Sequence, residues 1–75
     1  MDLEQYRLAN GWTYDDLARH LSLTHRTVAR DYALGRRWPH PDRVDEFLRV
    51  ADGVTLEALH RRHANYVRSR SVNAA

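Results

Sequence analysis

Cysteine is absent from this 75-residue chain, which removes disulfide frameworks, thiolate chemistry and cysteine-ligated zinc. Lysine is absent too, so all twelve basic side chains are arginine. Arginine suits bidentate contact with phosphate and guanine, but genome base composition also drives its use. No apolar run approaches the length of a membrane span, and the opening Met1-Asp2-Leu3-Glu4-Gln5 lacks the basic-then-apolar order of a signal peptide. A cytoplasmic, nucleoid-associated location without a membrane partner is therefore expected. Repeats, low-complexity tracts and period-2 strand patterns are also missing. What is left is one small domain, near the lower size at which a core suffices without disulfides or metal. Dimerisation would help such a chain.

The net charge is only +2, but it is unevenly spread. Residues 1–17 hold one arginine against four carboxylates, and residues 18–41 hold five arginines against Asp31 alone. Residues 42–57 hold two against five, and residues 58–75 hold four against none. Alternation of this kind marks an anion-binding face.

The pattern predicts an all-α fold of five helices over residues 1–70, followed by a disordered tail over 71–75. Asp2 and Gln5 have the spacing of a capping box for the first helix, which Gly11 ends, with Leu3, Tyr6 and Trp12 inward. Thr13 caps a second helix carrying the stripe Tyr14, Leu17, Ala18, Leu21. Thr24 is expected to cap a third, running to Leu34 with Gly35 as terminator. "RRWPHP" is a loop, and Pro41 opens a fourth helix with Val44, Phe47, Leu48 and Ala51 inward. Thr55 caps the fifth, with Leu56, Leu59, His63 and Tyr66 on one side.

Two short helices joined by a three-residue turn describe a helix-turn-helix. At about 100° per residue, centring Val28 on the buried side puts Tyr32 and Gly35 beside it and Arg26, Arg30 and Ala33 almost opposite. A row of that shape can lie in a major groove, with His25, Thr27 and Ala29 tuning the choice of base. Free amides at the starts of helices two and three, near Thr13-Tyr14 and Thr24-His25, would receive phosphates. Arg36, Arg37 and His40 extend this surface.

"YRLANGWTYDDLARHLSLTHRTVAR" resembles the Cro-like and phage-repressor-like helix-turn-helix regulators. It shares their apolar-Arg before a Gly-aromatic-Thr turn, followed by Leu17-Ala18, Leu21, Leu23 and Thr27-Val28. The resemblance covers roughly residues 3 to 60 and implies operator contacts from Tyr14, His25, Arg26, Ala29 and Arg30. Ser22 stands where the family usually has glycine, a place that costs a non-glycine residue some strain. By itself "LSLTHRTVARDYALGRRW" also resembles the last DNA-reading helix-turn-helix of alternative sigma factors, but a lone helix-turn-helix without polymerase-binding regions is not expected to act as one.

The expectation is thus a sequence-specific regulator of double-stranded DNA, a prokaryotic or phage repressor acting as a homodimer through Leu59, His63, Tyr66 and Val67. No cofactor, metal or small-molecule ligand is expected. The alternative is a protein-interaction module, an antitoxin or phage inhibitor, on the same scaffold. "HRRH", His60 to His63, spaces two histidines for a shared metal but finds no third ligand at zinc-site spacing. The Thr and Ser residues sit at caps, and Asp15-Asp16 are adjacent rather than facing each other, so no catalytic constellation is present. Trp38, beside two prolines, is expected at the core edge.

Overall fold

The computed structural model describes the backbone of residues 1–74 and the side chains of residues 1–70. Five helices follow one another: α1 (Leu3–Ala9), α2 (Tyr14–His20), α3 (Arg26–Ala33), α4 (Pro41–Val50) and α5 (Leu56–Ala74). The expected tail over 71–75 falls on α5 up to Ala74; its side chains and Ala75 lie outside the described residues. Among the described residues no helix is long and apolar enough to cross a membrane.

Local chemistry sets most helix starts. Asp2 and Gln5 close a reciprocal capping box at α1, and Thr13 and Asp16 close another at α2. His40 Nδ1 accepts the Asp42 amide at the start of α4, where Pro41 needs no donor of its own. Thr55 Oγ1 accepts the Ala58 amide at α5. The core collects Leu3 from α1, Leu17, Ala18 and Leu21 from α2, Ala29 and Ala33 from α3, Val44 and Phe47 from α4, Ala51 and Val54 from the turn, and Leu59 from α5. Phe47 is its largest fully buried side chain, and Tyr32 packs against it at 5.7 Å between ring centroids.

The turn after α2 decides where α3 begins. Leu21 ends α2, Ser22 turns into the left-handed region at φ 57°, and the Leu23 amide reaches back to the Ala18 carbonyl at 2.8 Å. The Ser22 amide meets the Arg19 carbonyl at 3.2 Å, completing a Schellman motif. Serine thus takes the strained position foreseen for it. Leu23 then packs against the core, so the chain cannot resume a helix immediately. The N-cap is consequently His25, not Thr24, and it makes no side-chain capping bond.

The facing of α3 also departs from expectation. Ala29 and Ala33 are fully buried, while Val28 and Tyr32 are only half-buried. The buried centre is therefore about one residue, or 100°, away from Val28. α3 packs chiefly on α2, and two methyl-sized side chains at its buried centre let the backbones come close. A β-branched residue at the centre would hold the helix off.

Gly35 ends α3 at φ 76°, with the Arg36 amide on the Asp31 carbonyl at 2.8 Å. A Cβ there would lie 2.8 Å from the backbone oxygen of Arg62, so α5 crosses against bare backbone. Two features permit only glycine at this point, the positive φ and the close approach.

Candidate nucleic-acid interface

The start of α3 exposes Thr24, His25, Arg26 and Thr27. Arg26 is 74% exposed; its nearest acid is Asp15 on α2, 3.9 Å away. Such a surface pair contributes little and is readily exchanged for another anion. No acidic residue occupies the first turn of α3, whereas Glu4, Asp15 and Asp16, Asp42 and Glu57 occupy the first turns of the other four helices. The α3 start therefore combines amides without a side-chain acceptor, a helix dipole without a carboxylate, and an exposed arginine.

Two of the residues assigned to base reading are relocated. Ala29 is fully buried against the core and cannot meet a base, and Ala33, placed outward by the wheel, is buried beside it. Arg30 lies on the flank with its side chain 44% exposed; its Nε is buried without a hydrogen-bond partner, 4.0 Å from the nearest Asp31 oxygen. The exposed row is accordingly the N-terminal end of the helix, His25, Arg26 and Thr27, with the Arg30 guanidinium reaching out beside it.

The start of α2 is built differently. Thr13 Oγ1 accepts the Asp16 amide at 3.2 Å, and the Asp16 carboxylate accepts the Thr13 amide at 3.0 Å. Hydrogen bonding to the carboxylate from Thr13, its backbone amide foremost and its side chain next, holds the Asp16 carboxyl below the usual aspartate range. Tyr14 donates its hydroxyl to Glu4 at 2.8 Å, and Arg7 grips the same carboxylate at 2.7 Å while lying 4.2 Å over the Tyr14 ring. Burial pulls the Glu4 carboxyl upward, but the bonds from Arg7 and Tyr14 outweigh it and the net direction is down. Burial and the Glu4 bond push the Tyr14 hydroxyl up, so it stays a protonated donor. Thr13 and Tyr14 are thus occupied in fastening α2 to α1, with Asp15 and Asp16 facing any approaching phosphate. The expected phosphate contact there does not fit this arrangement.

Beyond α3, Arg36 and Arg37 are exposed, and both of their amides point at the Asp31 carbonyl. The Arg37 guanidinium lies 6.0 Å from the Tyr32 ring centroid. Because His40 Nδ1 is an acceptor, the donor hydrogen of that exposed ring sits on Nε2. Trp38 stands at the core edge, stacked on His60 at 4.3 Å and 17° between planes.

The proposed dimer face is largely spent inside the protomer. Leu59 is a core residue at 7% exposure, and His63 Nδ1 donates to the Gly35 carbonyl at 2.8 Å. Tyr66 is half-buried with Arg70 6.0 Å from its ring, and Val67 alone of the four stands exposed. Among the described residues no group of three or more His, Asp or Glu side chains is placed to hold a metal ion.

Sequence reading missed two features. His20 stacks on Trp12 at 4.9 Å and sets its Nε2 3.0 Å from the Val50 carbonyl, tying α2 to α4. The histidines of "HRRH" both dock on the loop after α3, for which the spacing offered no signal. No family model matches the chain, and neither curated proteins nor solved structures yield a match.

Proposed function

We propose that the chain is a sequence-specific regulator of double-stranded DNA, acting as a repressor that occludes its site, with the start of α3 set into the major groove. Arg26 reads bases there, His25, Thr27 and Arg30 tune the choice, and Thr24, Arg36, Arg37 and His40 meet phosphates. The start of α3 carries this reading: it is uncapped, acid-free in its first turn and edged by an exposed arginine, while every other described helix start has both a side-chain cap and an acid. Helices that enter the major groove contact bases mainly from their N-terminal residues, and that end of α3 is the exposed one. Arginine bidentate to guanine is the commonest specific contact.

Selection of bound sites from random duplex DNA tests the proposal directly. Enrichment of one motif is expected, with log affinity falling steeply against log salt. A palindromic winner with half-sites about 34 Å apart would add a twofold dimer. No enrichment together with a shallow salt slope would overturn the proposal in favour of a protein-binding module.

A further inference from the structure

The loop from Arg36 to His40 carries two exposed arginines, yet α5 fastens it at three points. His63 Nδ1 donates to the Gly35 carbonyl at 2.8 Å, where the loop leaves α3. His60 stacks on Trp38 at 4.3 Å, nearly parallel, and the His63 ring flanks the same indole at 5.7 Å. The Arg62 backbone abuts Gly35 so closely that no Cβ fits between them. The Arg62 guanidinium meanwhile donates to the buried Asp2 carboxylate at 3.0 Å, fixing that turn of α5 to the start of α1. Trp38 and Pro39 then line the apolar edge of the core with Leu3, Tyr32, Phe47 and Leu59.

We infer that His60, His63 and Trp38 are positioning residues that hold Arg36 and Arg37 in register for phosphate. The inference rests on the DNA reading above and adds α5 to it as the support of the phosphate-binding loop. A loop residue left free loses backbone freedom when it is ordered on binding. A loop already ordered in the free protein avoids that cost, and its affinity for the same contacts rises. This arrangement also accounts for "HRRH": at i and i+3 the two rings share one side of α5, and that side faces Trp38 and Gly35. The intervening arginines turn elsewhere, Arg61 to Glu57 at 2.8 Å and Arg62 to Asp2.

The test uses the full chain and a random-sequence 20-base-pair duplex as probe, with affinity measured across a salt series. Each phosphate contact contributes about 0.9 to the slope of log affinity against log salt. Trp38→Ala and His60→Ala are expected to lower the slope by about 1 to 2, matching Arg36→Ala combined with Arg37→Ala. Adding Trp38→Ala to that arginine pair should cost nothing further. His60→Phe, which keeps a flat ring on the indole, should restore the slope, as should His63→Asn relative to His63→Ala by returning a donor to Gly35. His60 is exposed, so its variants report on the loop even if Trp38→Ala fails to fold. Folded variants with an unchanged slope, or losses that simply add to those of the arginines, overturn the inference. A wild-type chain that does not bind the duplex overturns the DNA reading itself.

Discussion

The starts of α2 and α3 lie twelve residues apart and have opposite characters. At α2, Thr13 and Asp16 satisfy each other's backbone donors, Asp15 adds a second acid, and Tyr14 is anchored to Glu4. At α3, His25 caps nothing, the first turn holds no acid, and Arg26 extends into solvent. One end is closed with its own anions and joins α2 to α1; the other leaves its amides and positive dipole end to an anion from outside. Under the proposed DNA reading, stability and binding fall to different helix ends, and each can be altered separately.

The largest expected effect comes from making the second end like the first. His25→Asp supplies the missing cap and should stabilise the fold by roughly 1 kcal/mol in urea unfolding. The same change sets a carboxylate against the phosphates and should weaken DNA binding by about 2 kcal/mol, roughly thirtyfold. A gain in stability with unaltered affinity would separate the α3 start from DNA.

The converse change comes next. Thr13→Ala opens the α2 cap and should cost about 1 kcal/mol of unfolding free energy. DNA affinity per folded molecule should stay the same, since no phosphate is assigned to that end. A parallel fall in affinity, measured where the variant is fully folded, would return Thr13 to the interface.

Between the two ends lies Ser22, whose left-handed backbone costs about 1–2 kcal/mol that glycine avoids in exchange for greater freedom in the unfolded chain. Ser22→Gly should therefore raise stability by roughly 0.5–1 kcal/mol, read as a shift in the midpoint of thermal unfolding. No loss of DNA binding should accompany it.

Acid should act on the closed end first. The Asp16 and Glu4 carboxyls are both held below their ordinary values in the folded chain. Their stabilisation is complete above the ordinary carboxylate range and drains away as pH falls through the lowered folded-state values. Asp16→Asn should flatten that acid limb slightly in a pH series of unfolding midpoints. This is the smallest of the four effects.

Most of the fold was legible because its rules are local. The caps Asp2, Thr13 and Thr55, the opening proline Pro41, the turn at Ser22 and the terminator Gly35 all act within a few residues of themselves. The inward stripes of α2 and α4 follow a period that needs no partner to be read. Two things about α3 were not legible in that way. Its start moved because the Schellman turn and the packing of Leu23 against the core consumed chain that Thr24 was expected to begin using. Its facing moved because close packing against α2 selects alanines at the centre of the contact, and a helical wheel contains no volumes.

The candidate site followed suit. Arg26, His25 and Thr27 stay exposed despite the change of facing because they sit at the start of the helix, beyond the end of the core, where rotation matters least. Ala29 did not, because it lies where α3 meets α2. Leu59 and His63 looked like a free stripe only while nothing was known to lie against it.

The sequence by itself therefore determined five helices, the chemistry of most of their ends and the segregation of charge, since each depends on neighbours along the chain. Only the tertiary structure decided which face of α3 is buried, which helix start stays open, and that α5 grips the loop bearing Arg36 and Arg37. Those outcomes depend on which volumes and carbonyls meet across distances in sequence such as Gly35 to His63, and no local pattern records such a meeting.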